Sequence, residues 1–227
     1  MTHNNDCSIS SYNLSISIFY ANVRSLKNKL DYLKFFLNTY TYDVIAFSET
    51  WLNKHIEDYS LITDMKYQIF RSDRNNAKKW GGIALLINSQ FLPRLLDSKE
   101  ICGINLLTVS INNFLLILVY IPPDKANDKK SISALTNYIL NWTTGFDNFA
   151  IFGDFNLPSL FGNNSDRVSE AAKFFHYFCI DLNLIQTVPF PTRNDNFLDI
   201  LLTNTPESIT NFRNLPPFSN SDHISFS

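Results

Sequence analysis

Four apolar segments follow one another between Tyr67 and Ile121: "YQIFRSD", "GGIALLINS", "NLLTVSI" and "FLLILVYI". Their richness in β-branched and aromatic residues, with turn chemistry between most of them, reads as four strands. Strands joined by short turns pair antiparallel, because a parallel return needs a long crossover. This stretch commits the chain to a sheet. Further strands are expected at "LSISIFYANV", where apolar and small polar residues alternate, and at "DVIAFSE", "NFAIFGD" and "FLDILLTN". Three helices are expected between them. The first covers about Leu26 to Thr39, with Leu26, Leu30, Leu33 and Leu37 at helical spacing. The others run over Ser131 to Trp142 and over Ser169 to Asn183, the latter with Glu170 in its first turn. Strands interleaved with helices in this way predict an α/β domain of two sheets packed face to face, with helices outside.

Composition fits one such domain. The chain has 227 residues, 45% hydrophobic, which suffices for a single sizeable core. The expected division is a polar tail over 1–12 and one domain over 13–227. Net charge is −2, so there is no basic surplus of the kind a dedicated nucleic-acid module carries. Any role on DNA would need a local basic patch or a bound metal. Cys7, Cys102 and Cys179 are widely spaced and odd in number, neither a zinc pattern nor a disulfide framework. A reducing, intracellular setting is the simplest reading. The start, "MTHNNDCSISSYN", lacks the charged and apolar regions of a signal peptide. The most apolar run, "FLLILVYIPP", is too short to span a bilayer, so no membrane partner is expected.

Polar residues recur where the apolar strands end. Asn22 closes the first strand, Glu49 the second and Tyr120 the run "LLILVY". Asp154 and Asn156 follow "AIFG", Asp199 sits inside "FLDILLTN", and Asp222 and His223 stand near the end in "NSDH". Each has an ordinary alternative. "GDFN" is good turn chemistry. Asn22 could cap the following helix, Glu49 could be a loop carboxylate, Tyr120 a core aromatic, and His223 a surface histidine. Asp199, flanked by leucines and isoleucine, needs a partner if buried.

Taken together the set describes metal-assisted hydrolysis of a phosphoester. Asn22, Glu49 and Asp222 offer the oxygen ligands that Mg²⁺ prefers. Asp154 is a candidate base for water, and Asn156 could hold that water or a phosphoryl oxygen. His223 could bond phosphoryl oxygens while Asp199 orients its ring. Tyr120 could donate to a phosphate oxygen or to the leaving oxygen. Arg71, Arg74, Lys78, Lys79 and Arg193 are candidate contacts to a DNA backbone, with solvated loop charge as the alternative.

The ordered motifs "ANVRSL", "SETWL", "VYIPP", "GDFN", "LDILLTN" and "SDH" resemble the endonuclease/exonuclease/phosphatase superfamily. The longer stretches "NVRSLKNKLDYL", "SETWL", "RSDRNNAKKWGGIALLI" and "VYIPP" resemble the apurinic-like endonuclease domain of LINE-type (non-LTR) retrotransposons. The resemblance implies a deoxyribonuclease I-like four-layer α/β sandwich that uses Mg²⁺ or Mn²⁺. It implies DNA as substrate, nicked to leave a 3′-hydroxyl that primes reverse transcription, with action in the nucleus. It assigns Asn22, Glu49 and Asp222 to the metal site. Tyr120, Asp154, Asn156, Asp199 and His223 fall to the catalytic set. Three departures are visible. AP endonucleases place an asparagine shortly after the tyrosine, where this chain has Pro122 and Pro123. Only "ISFS" follows "SDH", so a short or missing last strand is expected. A reverse transcriptase domain, expected in a full-length element, is not in this sequence. Two alternatives stay open: a phosphatase on a small phosphoester such as an inositol phosphate or lipid head group, and an inactive retroelement remnant.

Overall fold

The computed structural model describes residues 15–62, 65–74, 80–161 and 168–227. The candidate DNA contacts Lys78 and Lys79, and the 1–12 tail with Cys7, lie outside the described residues.

The first sheet is built from β1 (Ile18–Asn22), β2 (Val44–Ser48), β3 (Tyr67–Ser72), β4 (Ile83–Asn88), β11 (Asn214–Leu215) and β12 (Ser225–Phe226). Its strand order is β11-β12-β1-β2-β4-β3. The second contains β5 (Arg94–Ile101), β6 (Ile104–Ile111), β7 (Phe114–Tyr120), β8 (Asn148–Asp154), β9 (Ile185–Gln186) and β10 (Asp199–Thr203), in the order β5-β6-β7-β8-β10-β9. Each sheet is antiparallel except for one parallel pair, β1 with β2 and β7 with β8. The helices are α1 (Leu30–Thr39), α2 (Pro123–Ala126), α3 (Lys129–Thr143), α4 (Pro158–Phe161) and α5 (Glu170–Asp181).

Four layers result, and β7 explains them. Its residues are apolar throughout because both faces are covered. Leu116, Leu118 and Tyr120 join the core between the sheets, with Val44, Leu85, Leu107 and Phe152. Leu115, Ile117 and Val119 point the other way, into a core shared with Leu135 and Ile139 of α3 and Phe175 of α5. On the far side, Leu33 and Phe36 of α1 pack on Phe19, Ile45 and Phe47 of the first sheet. This is the predicted sandwich. No helix among the described residues is long and apolar enough to cross a membrane.

Two sequence expectations change. The helix expected from Leu26 begins at Leu30, and Lys29, not Asn22, occupies its N-cap position. The intervening segment instead continues the pairing of β1 with β2: Ser25 N–H donates to the Glu49 carbonyl at 2.7 Å and Leu26 N–H to that of Thr50 at 2.9 Å. Arg24 and Ser25 take left-handed backbone (φ 40° and 87°), which no helix start accommodates. The second change is β5, which the apolar pattern does not reveal. Its sequence, "RLLDSKEI", is largely exposed at the sheet edge, where charged residues discourage pairing with other chains.

Candidate active site

The two parallel strand pairs align their ends and so gather the polar residues. Asn22 stands beside Ser48 in the β1–β2 register, and Tyr120 beside Asp154 in the β7–β8 register. In the antiparallel β8–β10 pair, Asp199 lies directly opposite Asp154. Two buried carboxylates facing each other are costly unless other groups compensate.

Hydrogen bonds supply the compensation. Asp154 Oδ2 accepts from Asn22 Nδ2 at 2.9 Å, and Oδ1 from the Asn156 backbone N–H at 3.2 Å. Asp199 Oδ2 meets His223 Nδ1 at 2.6 Å, and Oδ1 accepts from the Tyr20 hydroxyl at 2.7 Å. The Asp199 backbone N–H donates to Thr192 Oγ1. The Tyr20 hydroxyl also lies 2.9 Å from Ser48 Oγ in its own sheet, while its bond to Asp199 of β10 ties the two sheets together behind the site. Ser221 donates through Oγ to the Asn22 carbonyl and accepts from the His223 N–H, which fixes the loop that carries the imidazole.

These contacts set the charge states. Burial disfavours a charged His223, but the Asp199 carboxylate beside it outweighs burial and pushes the ring up to about 9. Burial, followed by the opposing Asp199 charge, holds the Asp154 carboxyl well above the usual range, against the pull of His223. Tyr120 is raised by burial and then by Glu49 and Asp154, so its hydroxyl stays a donor.

Glu49 is half-buried and held from two sides, by Asn22 Nδ2 at 3.2 Å and Trp51 Nε1 at 3.3 Å. Glu49 and Trp51 both take left-handed backbone (φ 53° and 52°), a strain found chiefly at functional sites. The bonds from Thr50 N–H to the Gly82 carbonyl and from Trp51 N–H to that of Gly81 hold this turn.

The sequence-predicted residues therefore converge, with three differences in detail. Asn22 presents its amide N–H₂ to both Glu49 and Asp154, while its Oδ1 accepts the Arg24 N–H, so its oxygen does not face the acids. Asp222 does not join Glu49; its Oδ2 is paired with Arg24 at 3.1 Å and Arg193 at 2.8 Å. The Asn156 side chain donates to the Ile121 carbonyl at 2.9 Å, so its backbone, not its amide, touches Asp154.

The candidate DNA contacts divide. Arg71 is no surface cation: its guanidinium donates to Asp73 twice, to Asp58, and to the carbonyls of Ile56 and Asn53. All five donors are engaged within the protein, so the guanidinium braces the surrounding loops. The backbone of Arg74 lies against Gly82, and Arg193 reaches the site rim through Asp222. Sequence reasoning missed Tyr20, Thr192, Ser221 and Arg24. Only Tyr20 carried a legible signal, since its spacing of two from Asn22 puts both on one face of β1.

A family model described as endonuclease-reverse transcriptase matches residues 114–227, from β7 to the end. The chain belongs to the endonuclease-reverse transcriptase family. The match includes Tyr120, Asp154, Asn156, Asp199, Asp222 and His223, whereas Asn22 and Glu49 lie before it. Solved structures share the fold of the endonuclease/exonuclease/phosphatase superfamily. One is a variant of the 3′ phosphatase NExo from Neisseria bound to product DNA hairpin, with TM-score 0.74 and 14% identity over 93% of this chain and 97% of that one. Another is an AP endonuclease from Archaeoglobus fulgidus, with TM-score 0.67 and 15% identity over 93% and 97%. A third is the endonuclease domain of TRAS1, a telomere-specific non-LTR retrotransposon, with TM-score 0.62 and 14% identity over 93% and 96%. No curated protein matches this chain.

Proposed function

We propose that this chain is a metal-dependent phosphodiester hydrolase that nicks DNA and leaves a 3′-hydroxyl, as part of a non-LTR retrotransposon. The carrying observation is the pair of hydrogen-bonded assemblies between the two sheets, Glu49–Asn22–Asp154 and Tyr20–Asp199–His223.

The donors suit a hard cation. Glu49 and Asp154 are carboxylates bridged by one amide, and Mg²⁺ or Mn²⁺ binds through one or two carboxylates plus substrate phosphate. Ligand atoms of Asp154, Asp199 and His223 also lie within 4.8 Å of one another. That triple is the poorer cage for such an ion, because all three groups are buried and one ligand atom is an imidazole nitrogen, whereas Mg²⁺ takes oxygen ligands. Glu49, with Asp154 beside it, would hold the ion, which supplies charge stabilisation at the phosphate.

The protein's own groups do the rest. Asp154, whose carboxylate is positioned by the Asn22 amide and the Asn156 N–H, takes the proton of the attacking water. The water oxygen forms a bond to phosphorus as the bond to the 3′ oxygen breaks. Tyr120, kept protonated, donates to the departing oxygen. The imidazolium of His223, oriented by Asp199, bonds a non-bridging oxygen and offsets the charge gathering there.

With Mg²⁺, purified protein should convert supercoiled plasmid to nicked circles, and Asp154→Ala or His223→Ala should abolish this. Nicking that survives in both variants refutes the mechanism. Phosphate release from soluble phosphoesters without any nicking would instead assign the site to a phosphatase. Absence of both activities, with no rise in melting temperature at millimolar Mg²⁺, would identify an inactive remnant.

A further inference from the structure

The Asp222 carboxylate bridges two arginines from different parts of the fold. Arg24 leaves the end of β1 in the first sheet, and Arg193 belongs to the turn that precedes β10 in the second. Both guanidinium groups contact the same oxygen, Asp222 Oδ2, so the two cations are held side by side across the seam between the sheets. Their side chains remain 45% and 42% exposed, on either side of the residue that precedes His223.

Both arginines are held by their backbones. Arg24 is left-handed, and its N–H is fixed on Asn22 Oδ1. Arg193 sits in a tight turn closed on Asn196, with Asn194 left-handed, and the adjacent Thr192 carbonyl accepts the Ile224 N–H just beyond His223. Lys29 adds a third cation behind Arg24, with Nζ bonded to the Val23 carbonyl at 2.5 Å. One carboxylate thus faces two guanidinium groups, and the pair keeps one unbalanced positive charge. A phosphodiester group carries one negative charge, and its oxygens match the fork geometry of arginine.

We propose that Arg24 and Arg193, spaced by Asp222, form a clamp for one backbone phosphate of the nucleic acid beside the reacting bond. The proposal rests on the hydrolase reading of the adjacent site and assigns Asp222 to spacing the arginines. A chain of net charge −2 thereby gains a local anion site without a basic surface.

The test is binding of a fluorescein-labelled DNA duplex in EDTA, read by anisotropy between about 50 and 200 mM salt. No cleavage is needed, so the outcome is separate from the nicking assay. Arg24→Ala and Arg193→Ala should each flatten the plot of log affinity against log salt by about 0.9, the contribution of one phosphate. The double variant should flatten it no further, because both residues serve one phosphate. Arg24→Lys and Arg193→Lys keep the charge and should keep most of the slope. Asp222→Asn, which removes the internal counter-charge, should steepen the slope and tighten binding several-fold. A slope unchanged in both alanine variants, weaker binding by Asp222→Asn, or no binding of wild-type protein overturns the clamp. Melting temperatures of all variants confirm that folded proteins are being compared.

Discussion

Replacing Gly153 by alanine probes how the "GDFN" turn is joined to the sheet. Gly153 has φ +140°, and an added Cβ would stand 1.9 Å from the Val119 carbonyl oxygen, 2.9 Å from its carbon and 3.0 Å from the Val119 nitrogen. The obstacle is backbone in the neighbouring parallel strand β7, which no rotamer change can move. Carbon atoms prefer separations of roughly 3.5–4.0 Å, so more than about 1 Å of relief must come from parting β7 and β8. A left-handed alanine adds about 1–3 kcal/mol of strain, and each ladder hydrogen bond lost adds about 1 kcal/mol. With two or three bonds lost, the cost is about 3–6 kcal/mol, a large share of the 5–15 kcal/mol typical of a whole domain. At about 2–4 °C per kcal/mol for a chain of this size, the melting temperature should fall by roughly 6–24 °C. Circular dichroism during heating and in urea reads this directly. Gly145→Ala is the control, since its Cβ would meet only the Trp142 carbonyl oxygen at 3.9 Å, and its effect should stay within about 1 kcal/mol. A Gly153→Ala protein melting within a few degrees of wild type would refute the reasoning.

Asp199→Asn should lower the His223 titration, followed by NMR, from about 9, because burial opposes the charged ring and only the Asp154 and Asp222 charges then still favour it. The wild-type pKa is raised, so the stability it contributes is complete below about pH 6.5 and is lost as pH rises through about 9. Urea midpoints should decline across that window in wild type, and a decline of equal size in Asp199→Asn would contradict this account. Tyr20→Phe leaves the buried Asp199 Oδ1 without its donor and should cost about 1–3 kcal/mol. It should also lower kcat with KM nearly unchanged; a rise confined to KM would exclude a role in positioning. Arg71→Ala removes five internal hydrogen bonds and should destabilise by about 2–4 kcal/mol while leaving DNA affinity unchanged, checked by urea melts and anisotropy.

The amino-acid sequence by itself determined the layers and the polar residues that close the apolar strands. Alternation along "LSISIFYANV" and the doubly covered run "FLLILVYI" are local patterns, and a strand's faces follow from its own order of residues. The polar groups closing those strands were legible for the same reason: Asn22, Tyr120 and Asp154 each end an apolar run. Strand β5 was not, because an exposed edge strand has no buried face to impose a pattern. Which group meets which was decided only by the tertiary structure. The Tyr20–Asp199 bond joins residues 179 positions apart, and the Arg24–Asp222–Arg193 bridge joins three separate loops. The orientation of the Asn22 amide follows from two acids delivered by other strands. Burial, the opposed charges of Asp154 and Asp199, and the resulting pull on His223 exist only once the two sheets pack, because desolvation and Coulomb forces depend on distance through space.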